Sequence, residues 1–257
     1  MDGLSPPQLR LALLGDFQLT NNGEELTVSR PAQRLLTHLA VVHRGKPVRR
    51  AALAERLWPD SSPDRATSSL RSVLWRLPRP RGRTLVTCTS TSARLSDDIV
   101  VDLWEGEVLA GRLCGDDVPP PSVLTDLALL IQDLLPSWQE EWLMVEQESY
   151  RQKRLHALER SAGALRDRGR FADALSAGLG AIRSEPLRES AHRRVIEVHL
   201  AEGNHAEALR QYEGYRRLLA EELGLSPSPV IRRLVAPLLG RPMELRPVRR
   251  RGARRPS

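Results

Sequence analysis

Apolar and polar residues alternate from Leu9 to Val28, LRLALLGDFQLTNNGEELTV, and the turn dipeptide Asn22-Gly23 interrupts the alternation. A period of two puts successive side chains on opposite faces of a strand. The segment therefore predicts a hairpin or meander with strands near 9–13, 16–20 and 25–28. The period then lengthens. Residues 31–43 predict a helix capped by Ser29, with Leu35, Leu36, Leu39, Ala40 and Val42 as its buried stripe and Gly45 as its stop. A second helix spans 50–57 and buries Ala51, Ala54 and Leu57 or Leu53; Val48 and Arg49 stand where a hydroxyl would cap better. Ser62-Pro63-Asp64 opens a third, with a capping hydroxyl, a proline in the first turn and an acid at the positive dipole end. Ala66, Leu70, Val73, Leu74 and Leu77 share one face of it, and Pro78 breaks it. Residues 84–95 read as two short β-rich runs about a Ser/Thr turn. Sheet, three helices and terminal hairpin make a winged helix-turn-helix.

Beyond Val101-Asp102-Leu103 the pattern is wholly helical, so the expected fold is α+β and then all-α. Residues 115–122, GDDVPPPS, read as a loop, and Trp138 and Trp142 open a helix with two indoles one turn apart. GRFADAL at 169–175 recurs as GNHAEAL at 203–209, an offset of thirty-four residues. That is the tetratricopeptide period, in which paired helices cover each other's apolar faces. Two copies are fewer than a stable stack needs, so helices near 123–166 and 228–239 are expected to complete it. The resulting division is 1–104, a winged helix-turn-helix; 105–240, a tetratricopeptide-like domain; and 241–257, a basic disordered tail without apolar periodicity.

Charge sharpens this division. Residues 1–104 carry fifteen basic and ten acidic groups, 105–240 seventeen and twenty-one, and 241–257 seven and one, within a total of +7. The basic head suits phosphate contact, whereas the acidic middle would repel a nucleic acid. From Arg44 to Arg83 there are eleven cations against Glu55, Asp60 and Asp64. A helix-turn-helix needs that layout, one helix bracing while the next offers polar and cationic side chains to a groove of double-stranded DNA. With the third helix's apolar stripe turned inward, its outward face holds Ser68, Arg71, Ser72 and Trp75, followed by Arg79; Arg65, Thr67 and Arg76 lie on the flanks. Arg71 is the leading base-reading candidate, because a guanidinium pairs bidentately with guanine. Ser68, Ser72, Thr67 and Trp75 are the other base-reading candidates. Arg49, Arg50, Arg65, Arg76, Arg79, Arg81, Arg83 and Arg94 are candidate phosphate anchors that set register without reading sequence.

With both halves in view, the chain resembles the Streptomyces antibiotic regulatory protein family, which joins a winged helix-turn-helix to a bacterial transcriptional activation domain. LLGDFQL (13–19), PAQRLLTHLAV (31–41), AALAERLWPD (51–60), SSLRSVLWRL (68–77) and VDL (101–103) carry the likeness in the head. EEWLMVEQESYRQKRLHALE (140–159), EPLRESAHRRVIEVHLAEGNHAEALRQYEGYRRLLAEELG (185–224) and SPSPVIRRLV (226–235) carry it in the helical half. The resemblance implies an activator that binds tandem direct repeats near a promoter, self-associates there and recruits RNA polymerase, often at antibiotic or other secondary-metabolite gene clusters. Two departures stand out: Pro78 replaces an arginine that often prolongs the recognition helix, and Trp75 sits where a small residue is common. There is no GxxxxGK[ST] phosphate loop in these residues, so the ATPase module of larger relatives is not expected in them.

Other classes fare worse. His192, His199 and His205 share a region, but no acid or thiol completes a ligand set at metal spacing, and they read as histidines of an exposed helix face. No catalytic motif, metal site or cofactor site is expected. Cys88 and Cys114 form no CxxC pair. No apolar run reaches the roughly 20 residues that cross a bilayer, and the amino terminus lacks a secretory pattern. The expected location is the cytoplasm, at the nucleoid. The rival reading is a helical-repeat adaptor that binds protein and has weak or no specific affinity for DNA.

Overall fold

Two-residue alternation at the head produces β1 (Leu9–Ala12) and β2 (Gln18–Asn21), paired antiparallel with Leu11 opposite Leu19. The computed structural model describes residues 9–115 and 127–240; most of the predicted 115–122 loop and the whole 241–257 tail lie outside them. Asn22 and Gly23 take positive φ of 54° and 84°, as the mirror-image hairpin turn requires. The third strand, β3 (Glu24–Glu25), is shorter than the alternation predicts. Glu24 and Glu25 pair with Asn21 and Thr20, one further bond runs from the Leu26 amide to the Leu19 carbonyl at 2.8 Å, and both strand residues face solvent.

The broad apolar stripe of α1 (Arg30–Val41) is buried on nearly every side, with Leu35 to Val41 all inside, Thr37 and His38 included. Val42 lies past its end and is only partly buried. After β4 (Val48–Arg49), α2 (Arg50–Leu57) buries Leu53, Ala54 and Leu57. Ala51 is exposed, against expectation, because it lies about 200° around the helix from Leu53. A Trp58-Pro59-Asp60 turn, closed by the Ser61 amide on the Trp58 carbonyl at 3.1 Å, leads to α3 (Pro63–Arg76). Ser29 and Ser62 do occupy the extended N-cap positions, but neither hydroxyl makes the capping bond. Proline in each first turn, with φ already set for a helix, supplies the start instead.

The wing is β5 (Val86–Cys88) and β6 (Ser92–Leu95), antiparallel, with β4 on the other side of β6. The chain then returns through β7 (Ile99–Val101), which lies parallel to β1. Here the widely separated segments 13–19 and 101–103 meet. The buried Asp102 carboxylate accepts the amides of Leu13 at 2.8 Å, Leu14 at 3.0 Å and Leu103 at 2.7 Å. It satisfies backbone donors at the end of β1 and the start of α4 (Asp102–Cys114) that would otherwise be stranded in the core.

The head's core does not stop at α4. After α5 (Ala128–Ile131), residues Leu134, Leu135, Trp138, Trp142, Leu143 and Tyr150 join the cluster built on β1, α1 and α3. Trp142 lies within α6 (Glu141–Arg166), but Trp138 precedes it, correcting the expected helix start. Trp138 stacks on Phe17 at 6.1 Å between centroids, and the Arg30 guanidinium lies 3.6 Å over its ring. Fully buried Arg154 is paired with Asp133 and donates to the Leu130 and Ile131 carbonyls at 3.1 and 3.2 Å.

The chain separates into two compact units between Ser161 and Ala162, a division that falls inside α6. The second unit contains α7 (Phe171–Ser184), α8 (Glu189–Glu202), α9 (His205–Leu223) and α10 (Pro229–Val235). Gly169 and Gly203, thirty-four residues apart, both have positive φ and precede the helices α7 and α9. Ala174 and Ala208, one repeat apart, are both wholly buried. Ile231 and Val235 of α10 pack with Ile196, Tyr212, Tyr215 and Leu219, closing the stack at its carboxyl end. His192 is no surface residue, as the sequence had implied. It is buried, bonded through its ring nitrogens to the Pro186 carbonyl and the Gln211 amide (both 2.8 Å), and stacked 4.2 Å from Tyr215. Burial lowers its pKa. Among the described residues, no helix is long and apolar enough to cross a membrane.

Candidate nucleic-acid interface

Helix α3 is amphipathic in the sense its sequence predicts. Ala66, Leu70 and Leu77 are buried and Val73 and Leu74 are partly buried, all packed in the head's core. Ser68, Arg71, Ser72 and Trp75 face solvent together, and Thr67, Arg65 and Arg76 are exposed beside them. Trp75 is 78% exposed, unusual for an indole on a core-packed helix. An open groove of about 420 Å³ runs between α3 and β5. Arg71, Trp75, Arg79, Arg50, Thr87 and Cys88 are among the residues lining it. Partial desolvation, opposed by the nearby Arg50 charge, raises the pKa of the Cys88 thiol, which remains exposed at the groove.

The wing turn organises itself with hydroxyls. Thr89 Oγ1 accepts the amides of Ser92 at 2.9 Å and Thr91 at 3.3 Å. The Arg50 amide donates to the Thr91 carbonyl at 2.9 Å, and its guanidinium reaches the Thr89 carbonyl at 3.4 Å. Arg50 thus connects the start of α2 to the wing while still facing the groove. Arg49, Arg79 and Arg81 are exposed, and Arg83 is half-buried.

Two cations that sequence alone counts toward the positive face have structural partners. Arg94 is held bidentately by Asp97, one contact measuring 2.7 Å, and this hydrogen bonding keeps the Asp97 carboxyl below the usual range. Arg44, at the end of α1 with a left-handed φ of 47°, pairs with Glu107 of α4 at 3.0 Å and Glu146 of α6 at 3.2 Å. Arg34 likewise pairs with Glu140 at 2.7 Å, and that carboxylate also accepts the Trp142 indole at 3.0 Å. No spacing rule marks these partners, because each pair spans more than sixty residues except Arg94–Asp97. An i,i+3 acid could have flagged that one.

The geometry defines a class: a winged helix-turn-helix whose third helix leaves a polar and cationic face open to solvent, in a chain that continues into helical repeats. The model for the bacterial transcriptional activator domain matches residues 88–239, more than half the chain, and the protein belongs to that family. It is 27% identical to the regulatory protein AfsR of Streptomyces coelicolor, over 88% of this chain and 24% of that one. It is 26% identical to the transcriptional regulatory protein EmbR of Mycobacterium tuberculosis, over 88% of this chain and 62% of that one. The chain therefore spans a quarter to about three-fifths of these relatives' lengths. The solved structure of M. tuberculosis EmbR in complex with a low-affinity phosphopeptide superposes with a TM-score of 0.68 at 21% identity, covering 93% of this chain and 67% of that one. It shares the mixed α/β head followed by helices. What the chain shares with AfsR and EmbR is thus this head and the activator-domain helices that follow it.

Proposed function

We propose that this protein is a transcriptional regulator, a sequence-specific DNA-binding activator whose residues 1–104 read the duplex and whose residues 105–240 present a protein-binding surface. One observation carries the reading. The apolar stripe of α3 is spent in the core, and its remaining face is an exposed set of hydroxyls, a guanidinium and an indole. In the major groove, Arg71 pairs with a guanine, Ser68, Ser72 and Thr67 reach bases or phosphates, and Trp75 lies against a sugar or thymine methyl. Arg49, Arg50, Arg65, Arg76, Arg79, Arg81 and Arg83 hold phosphates. Arg94 joins them only by exchanging Asp97 for a phosphate.

The helical half supports a protein partner. Leu223, Leu225 and Val230 are exposed within eight residues of each other at the α9–α10 turn, more apolar surface than a solvated turn needs. Its net acidity makes this half a poor surface for DNA. We assign the surface to RNA polymerase and to neighbouring protomers on direct repeats, with antibiotic or other secondary-metabolite genes as targets and the cytoplasmic nucleoid as the place of action.

A gel-shift with DNA upstream of neighbouring genes, with and without excess non-specific competitor, tests the proposal. A shift that survives competitor is expected. Binding abolished by competitor would favour a protein-binding adaptor instead. Footprinting then reports repeat spacing and the number of protomers.

A further inference from the structure

Between α3 and the wing the chain reads Pro78-Arg79-Pro80-Arg81-Gly82-Arg83, three arginines at every second position among residues that restrict or release the backbone. The segment is ordered by its own chemistry. The two prolines fix φ at their positions. The Gly82 amide closes on the Arg79 carbonyl at 3.0 Å, and the Arg83 amide on Pro80 at 3.1 Å. Arg81 is forced to φ 52°, ψ 35°, followed by Gly82 at φ 79°. A left-handed arginine is disfavoured by its own Cβ, and the surrounding bonds must hold it there. The result is a tight cationic turn, with Arg79 and Arg81 exposed and no bulky side chain at Gly82. Arg79 also lines the groove that holds Arg71 and Trp75, so the turn extends the exposed face of α3 past its end.

The wing hairpin does not offer the same chemistry. Between Val86 and Leu95 its only cation is Arg94, which Asp97 holds, and its tip is Thr89-Ser90-Thr91. A helix seated in the major groove ends at a phosphate ridge, and beyond the ridge lies the minor groove. That groove narrows and grows more negative in A·T-rich DNA, where it attracts guanidinium groups. Arginine suits such a slot because it is planar and more weakly hydrated than an ammonium. We propose that the Arg79–Gly82 loop enters the minor groove beside the element read by α3 and adds a preference for a narrow, A·T-rich flank. It rests on the DNA-binding reading above, and it gives Arg79 and Arg81 a selective role beyond anchoring phosphate.

The test starts with the full chain selecting from a random-sequence duplex library. The selected duplex is then remade with its flank as A·T, G·C or inosine·cytosine. Inosine·cytosine keeps the major-groove edge of G·C but removes the amino group from the minor groove. A·T and inosine·cytosine flanks should bind alike and G·C about ten-fold more weakly. Arg81→Gly removes the guanidinium and relieves the left-handed backbone, so folding is not at risk. It should erase the flank difference and leave the preference for the central element. Arg81→Lys should behave similarly while retaining most of the salt dependence. Equal binding of the three flanks by the unaltered chain overturns the proposal. So does an Arg81→Gly chain weakened by one common factor on all three, which marks a phosphate anchor. If no duplex is selected at all, the DNA-binding reading fails and takes this one with it.

Discussion

Arg71 and Arg50 border the same groove but should fail differently when removed. Arg71 stands on the exposed face of α3, and in the proposed complex its guanidinium meets base edges. Arg71→Ala should cost about 1–3 kcal/mol of binding and relax sequence preference. Arg50 is tethered to the wing backbone, so in the proposed complex it anchors a phosphate and reads no base. Arg50→Ala should weaken all sequences alike and reduce the slope of affinity against salt by about one. Titrations at several salt concentrations on matched and scrambled duplexes separate the two, and identical behaviour would remove the assignment. His38 offers a residue-scale prediction about stability. Burial first, and then the charges of His43, Arg56 and Arg34, lower its pKa from 6.5 to about 4, and its ring meets Trp142 edge-on at 4.7 Å. Above pH 6.5 it is neutral whether folded or not. As pH falls below 6.5 the unfolded chain takes up the proton while the folded one resists until about 4. Stability is therefore full above that window and declines through it, by about 3 kcal/mol. His43 and His192, lowered in the same direction, add to the trend. Urea midpoints at pH 7.5 and pH 5 should lie closer together for His38→Leu than for the unaltered chain, and equal separations would refute the account.

At the scale of elements, glycine shows which helix contacts are close. A Cβ on Gly178 of α7 would lie 2.8 Å from a methyl of Val195, which is wholly buried on α8. A Cβ on Gly214 of α9 would meet nothing within 4 Å. Gly214→Ala should therefore raise stability by about 0.5–1 kcal/mol through the loss of unfolded-state freedom. In Gly178→Ala the same gain is opposed by overpacking of about 1–3 kcal/mol, so its urea midpoint should move the other way. Two midpoints moving together would mean that α7 and α8 are not in close register. Gly178 and Gly214 both lie outside the repeated segments 169–175 and 203–209, and nothing in the local sequence distinguishes them. That difference arises only when a second helix is laid across the first.

For the whole molecule, the uneven charge is the feature with consequences. Head and tail are basic and the middle is acidic, so affinity for DNA should be steeply salt-dependent without being uniform along the chain. Removing residues 241–257, with their seven arginines, should lower non-specific affinity more than it lowers preference for a selected site. Competition assays measure both, and a tail whose loss changes neither is inert.

Strand, helix and turn positions were legible because they depend on local periods and on what proline, glycine and Asn-Gly do to φ. The α3 stripe, the thirty-four-residue repeat and the hairpin turn all follow from residues a few positions apart. The sequence missed long-range partners: the parallel pairing of β7 with β1, the three amides gathered by Asp102, and the acids that occupy Arg34 and Arg44. It also misplaced Trp138 and left His192 at the surface, since period alone does not reveal which neighbour covers a face. The amino-acid order thus determined the elements and which residues of α3 face solvent. Only tertiary packing decided which cations keep their charge open to solvent and which are neutralised by acids brought from as far as a hundred residues away, because a Coulombic contact depends on distance in space and not on separation along the chain.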